Sequence, residues 1–158
     1  MDPYIIVIIL AMLPTIEALG AISVGILIFN LNPLAVFILA FTFNTILFFP
    51  VYATLQVFYK HVEKYKRVHN FVEGVRHKGK KVIDKYGFWG LTVYLALPIP
   101  FSGTWTGTLI AWLLGIEKKK ALLAVMVGVF AACLFAMLLS LFAAGVLYWL
   151  GAPRASPI

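Results

Sequence analysis

Ionisable side chains divide this chain into three long apolar tracts and two basic clusters. Residues 3–59 carry one charged group, Glu17, while residues 86–116 and 121–153 carry none. Between the first two tracts lies "KHVEKYKRVHNFVEGVRHKGKKVIDKYG", which holds nine of the thirteen Lys and Arg residues, and Lys118, Lys119 and Lys120 follow later. A helix needs about 20 residues to cross a hydrocarbon core of roughly 30 Å. Residues 33–59, opening at Pro33, predict one transmembrane helix, and residues 118–150 predict a second, with length to spare for tilt or for a break at Gly128 or Gly145.

The tract over 86–116 is flanked by basic residues on both sides, so the number of crossings within it must be even. Two spans and a turn need about 40 residues or more at a rise of about 1.5 Å per residue. The tract is too short for that and predicts a re-entrant hairpin, with "LPIPFSGTWTG" at its tip. Pro98 and Pro100 lack backbone donors and bias their predecessors away from helix. Irregular backbone at membrane depth is tolerated only inside protein or along a wet cavity.

Residues 1–32 repeat the design: Pro14, Gly20 and Gly25 precede Asn32-Pro33 and a long apolar helix, as Pro98, Pro100, Gly103 and Gly107 precede Gly115 and another. Glu17, Ala21 and Gly25 lie four apart, as do Gly103, Gly107, Ala111 and Gly115, giving each returning arm a small face suited to close packing. The expected architecture is an all-α polytopic membrane protein of one domain, 1–158. It is an inverted repeat of a re-entrant helical hairpin (1–32 and 86–116) plus a long transmembrane helix, with a cytoplasmic amphipathic basic segment over 60–85. Inverted repeats with broken helices are a recurrent transporter plan. The alternative for the first tract is one span from Tyr4 to Phe29, kinked at Pro14.

Composition agrees: 63 % of residues are hydrophobic and mean hydropathy is +0.98, beyond the range of soluble domains. The net charge of +7 reflects orientation, because basic clusters face the cytoplasm. Residues 60–85 and Lys118–Lys120 are therefore expected inside and both termini outside, in a multi-pass protein of the plasma membrane. No stacking module accompanies the basic run, so nucleic acid is not an expected partner. The segment MDPYIIVIILAML lacks the basic start of a secretory signal and reads as mature structure. Cys133 is the sole cysteine, which excludes an intramolecular disulfide.

Val62, Tyr65, Val68, Val72, Val75, Val82 and Tyr86 recur every three or four residues, with Gly79 in the remaining slot. This predicts an amphipathic helix along the headgroups, serving as a linker or recruiting anionic lipid. His61, His69 and His77 stand eight apart, about 12 Å of helical rise, too far to share a metal ion. No metal or cofactor is expected. Nor is an enzyme, since no hydrolase, protease or phosphate-loop motif is present.

Glu17 is the sharpest single signal. An acid at the centre of a spanning helix costs about 2.5–3.5 kcal/mol, which calls for a cavity, a partner or a role. No basic residue in the membrane tracts can pair with it, so it reads as a proton-coupling or cation-binding group, or as a carboxyl that hydrogen-bonds to broken backbone. Ser102, Thr104 and Thr106, with Trp105 among them, either bind a headgroup or satisfy the backbone left by Pro98 and Pro100. The candidate substrate or ion site is thus Pro14, Glu17 and Gly20 with Pro98, Pro100, Ser102, Gly103, Thr104, Trp105, Thr106 and Gly107. Asn44, in "FTFNTILFF", reads as an interhelical hydrogen-bonding residue.

"LPIPFSGTWTGTLIAWLLGI", residues 97–116, resembles the signature of the small multi-drug export proteins, and "LPTIEALGAI" resembles that family's first motif, Pro-x-x-Glu-x-Arg-Gly-Ala-Ile-Pro. This chain has Leu19 in place of the arginine and Ser23 in place of the later proline. The family is similar to the DedA superfamily, whose paired re-entrant hairpins are implicated in lipid movement and in the return of polyprenyl-phosphate carriers. The resemblance implies a flippase or scramblase that moves a lipid or lipid-phosphate carrier. Membrane lipids and a lipid or amphiphile substrate are the expected partners, and so few helices close a lipid cavity more readily as a homodimer. Export of small cationic amphiphiles and a non-transporting scaffold are the alternatives.

Overall fold

The computed structural model describes residues 1–62, 64–97 and 103–150, with backbone alone for 78–84. Among these residues the fold is entirely helical. Helix α1 (Pro3–Met12) starts where the Asp2 carboxylate accepts the Tyr4 N–H at 2.9 Å, with Pro3 in the first turn. It stops because Leu13, immediately before Pro14, is extended, the conformation that a following proline imposes. After the turn, α2 (Glu17–Ser23) runs without interruption into a π-helical stretch, Val24–Ile28. The two arms fold back on each other: a side chain at Gly25 would press on Val7 of α1, and also on Val36. At ten residues, α1 is about 15 Å long, half of a hydrocarbon core.

Helix α3 (Pro33–Ile46) has the better cap. The Asn32 side chain accepts from Leu34 and Ala35 N–H, and Pro33 again occupies the first turn. It passes through Leu47 into α4 (Phe48–Val62), and together they form a 30-residue apolar rod long enough to cross a membrane. Helix α7 (Lys118–Trp149) is the other such rod, 32 residues with no break at Gly128 or Gly145. The spare length is carried by one continuous helix.

Helix α5 (Lys66–Ala96) joins the basic segment to the third apolar tract and bends at Gly87, whose φ of 23° and ψ of −110° are not helical. The bend falls where the charge pattern changes from basic to apolar. Within the basic half Val72 is buried, whereas Tyr65 and Tyr86, expected on the same stripe, are exposed; the Val82 side chain lies outside the described residues. His61 contacts the Val57 carbonyl and His69 the Tyr59 hydroxyl, rather than each other.

Helix α6 (Thr104–Leu113) ends in a Schellman motif: Ile116 N–H bonds to the Ala111 carbonyl and Gly115 N–H to that of Trp112. Gly115, at φ 73°, is therefore the stop of this helix and is exposed. The small-residue face expected to run through it is buried only at Gly107 and Ala111.

The core forms around α7, whose small residues let its neighbours approach closely. Gly128 lies against Leu95 and Thr92 of α5, and Ala121, Ala124, Ala132 and Ala136 are buried beside other helices. Cys133 is sealed in this core. Two of its helices, Pro33–Val62 and Lys118–Trp149, are by length and composition able to cross a membrane.

Candidate functional site

The breaks in the helices meet. Glu17 opens α2 at φ 51°, a left-handed conformation unusual for a residue with a side chain. Its N–H reaches the Leu13 carbonyl at 2.9 Å and closes the turn around Pro14. The carboxyl is thereby turned inward, where Glu17 is only 6 % exposed. There the backbone N–H of Gly103 donates to it. A Cβ at Gly103 would coincide with the Glu17 carboxyl, so any larger residue there requires the acid to move.

Ala18, Leu19, Asn44, Leu95 and Val129 close around the acid, leaving a cavity of about 10 Å³. Such a space holds at most one water molecule. Glu17 Oε1 has no hydrogen-bond partner among the described residues. The described ion pairs join Arg76 to Glu73 and Lys120 to Glu117, so a backbone donor at the start of α6, rather than a cation, answers the acid.

The carbonyls freed at the end of α1 are answered from across the molecule. Asn44 Nδ2 donates to the Ala11 carbonyl at 2.8 Å, and Asn44 Oδ1 accepts from Thr104 Oγ1 at 2.5 Å. Trp105 Nε1 donates to the Met12 carbonyl at 3.0 Å. Asn44, fully buried in mid-helix α3, thus links the break after α1 to the start of α6. Of the expected hydroxyls, Thr104 is consumed by this junction, and Thr106 Oγ1 bonds to the Gly103 carbonyl at 3.3 Å. Gly107 packs on Leu95. Gly20 is half-buried against Ile16, and Pro14 is exposed on the turn. Pro98, Pro100 and Ser102 lie outside the described residues.

A second feature starts at the same junction. An apolar groove of about 630 Å³ runs between α4 and α6, bordered by Met12, Leu47, Val51, Leu55, Trp105 and Leu109. That volume suits a small organic ligand. Thr54 and Thr106 add hydroxyls, and Glu17 does not border it. Trp105 and Thr106 were legible as candidates from the sequence, but the aliphatic wall was not. Leu47, Val51, Leu55 and Leu109 sit in apolar helices where one leucine looks like another.

The model of the family described as "Putative small multi-drug export protein" matches residues 17–135, from Glu17 through both breaks and well into α7. The chain belongs to that family. Membership suggests a membrane exporter. No curated protein and no solved structure matches the chain. In this member of the family, Leu19, at the arginine position of the first motif, lines the void beside Glu17. Ser23, at the position of the later proline, returns its hydroxyl to the Leu19 carbonyl at 3.0 Å and lies 3.3 Å from Ser140 of α7.

Proposed function

We propose that this member of the family moves a lipid or lipid-like amphiphile across the bilayer, with Glu17 coupling the movement to protons. The observation that carries the reading is the pairing of a sealed acid with an open groove. Glu17 has room for a proton or one water and for no substrate group. The adjacent groove has the volume and the apolar walls to take an amphiphile. A titrating group fixed at a junction of broken helices changes the hydrogen bonding of that junction when it gains or loses a proton. The Gly103 N–H would then have a weaker acceptor, and α6, which forms one wall of the groove, would be freed to shift.

In this reading α1–α2 and the apolar half of α5 with α6 are re-entrant hairpins of an inverted repeat, as in the DedA superfamily. Exposure of Met12, Leu13, Pro14 and Thr15 at the first tip supports it, since such backbone at membrane depth needs a wet cavity or a protein neighbour. A second copy of the chain would supply that neighbour. The protein is a transporter of the plasma membrane and not an enzyme, with the basic segment cytoplasmic.

Export of a cationic amphiphile is the second reading, favoured by the family description. It requires Glu17 to open onto the groove and pair with the substrate. Vesicles reconstituted with the protein and loaded with labelled phospholipid, polyprenyl phosphate or a cationic dye separate the two. We expect lipid or polyprenyl phosphate movement that varies with pH, and a Glu17→Gln variant that moves it about tenfold more slowly and without pH dependence. Unchanged transport by Glu17→Gln at every pH would remove the coupling role, and movement of the dye alone would select the second reading.

A further inference from the structure

The groove between α4 and α6 has a polar junction at one end and a cation one helical turn beyond the other. Leu55 on α4 and Leu109 on α6 border it. The next positions on the same faces are Tyr59, four residues after Leu55, and Trp112, three after Leu109. Their rings meet nearly edge-on with centroids 5.3 Å apart, and the Arg76 guanidinium of α5 lies 5.7 Å from each centroid. Three elements thus converge on one arginine from the basic segment.

The guanidinium is held in place. Rings at this distance attract a guanidinium through their quadrupoles, and Tyr59 is itself fixed by the 3.3 Å contact of its hydroxyl with the His69 ring. Arg76 Nε is buried without a hydrogen-bond partner among the described residues, close to Gly115 at the end of α6. Nη1 bonds to Glu73 at 2.9 Å, but that carboxylate is half exposed and one helical turn away. Exposed pairs of this kind are weak, so an incoming anion can share or displace Glu73. About a third of the Arg76 side chain remains open.

We propose that Arg76, held by Tyr59 and Trp112, binds the head of an anionic amphiphile whose apolar body fills the groove between α4 and α6. A planar guanidinium braced against aromatic faces keeps N–H groups for a phosphate or carboxylate. From Leu47 to Leu55 the groove offers about 12 Å of helix rise to an apolar chain, and Arg76 lies beyond its Leu55 end. None of the residues that border the groove is acidic, and the acid nearest its Arg76 end, Glu73, is already paired with that arginine. The inference names the charge of the substrate in the transport reading and rests on that reading only for what becomes of the bound molecule.

The test is binding to the full chain in uncharged detergent micelles, read by calorimetry with decyl phosphate, decyltrimethylammonium and inorganic phosphate as probes. We expect the wild type to bind decyl phosphate about tenfold or more tightly than decyltrimethylammonium, and Arg76→Gln to erase that preference, with Arg76→Lys between them. Leu109→Trp, which fills the groove, should weaken decyl phosphate binding in a protein that keeps Arg76. Inorganic phosphate should compete poorly. Equal binding of the two charged probes by the wild type overturns the proposal without any variant, as does unchanged selectivity in Arg76→Gln. Inorganic phosphate competing as well as decyl phosphate overturns the groove's part in it. Selective binding without vesicle transport would remove the transport reading and leave this site; transport without selectivity would do the reverse.

Discussion

Glu17, Gly103 and Asn44 depend on one another, and each is testable alone. Gly103 has no room for a methyl group because the Glu17 carboxyl occupies that space. Gly103→Ala should therefore displace the acid and destabilise the fold by about 1–3 kcal/mol, seen as an earlier thermal unfolding transition in detergent. Asn44→Ala would leave the Ala11 carbonyl and the Thr104 hydroxyl unanswered in a buried place. The expected loss is about 1–3 kcal/mol, and Asn44→Asp should not restore it, because a carboxylate cannot donate to Ala11. Glu17 and the candidate residues Gly103, Thr104 and Trp105 were legible as chemistry because they are polar or irregular residues in apolar surroundings. That Thr104 serves Asn44 and Trp105 serves Met12 was not legible, since those partners are 60 and 93 residues apart.

Helices in this protein are stopped by local rules and packed by small residues. Asp2, Asn32 and the two prolines that follow them set the starts of α1 and α3, Pro14 forces the stop after α1, and Gly115 stops α6. These signals lie within a few residues of what they control, which is why sequence carries them. The role of each glycine inside α7 is not local. Gly128 faces α5 with no space to spare, while a side chain at Gly145 would meet nothing. Gly128→Ala should thus lower stability by about 1–3 kcal/mol through overpacking. Gly145→Ala should raise it by roughly 0.5–1 kcal/mol through helix preference alone. Thermal unfolding of the two variants in the same detergent compares them; equal shifts would show that Gly128 is not a packing contact.

For the whole molecule, orientation is the property on which the transport reading depends. With Cys133 replaced by alanine, cysteines introduced at Asp2 and Ser156 should both react with an impermeant reagent applied from outside intact cells. An inaccessible residue 2 would place the N-terminus in the cytoplasm and remove the inverted relation between the halves. Sequence by itself determined that this is a helical protein with the hydropathy of a membrane protein, where its two long apolar helices lie, where α1 stops before Pro14 and which acid is out of place. Those properties follow from hydropathy, charge and the conformational limits of proline and glycine, all of which act within a few turns of helix. Only the tertiary structure decided that the breaks share one hydrogen-bonded junction, that Glu17 is shut away from the groove beside it, and that Arg76, one of nine basic residues in its segment, is the one braced by Tyr59 and Trp112. These outcomes depend on which helix faces meet across long separations, and an almost uniformly apolar surface gives those faces no mark in the sequence.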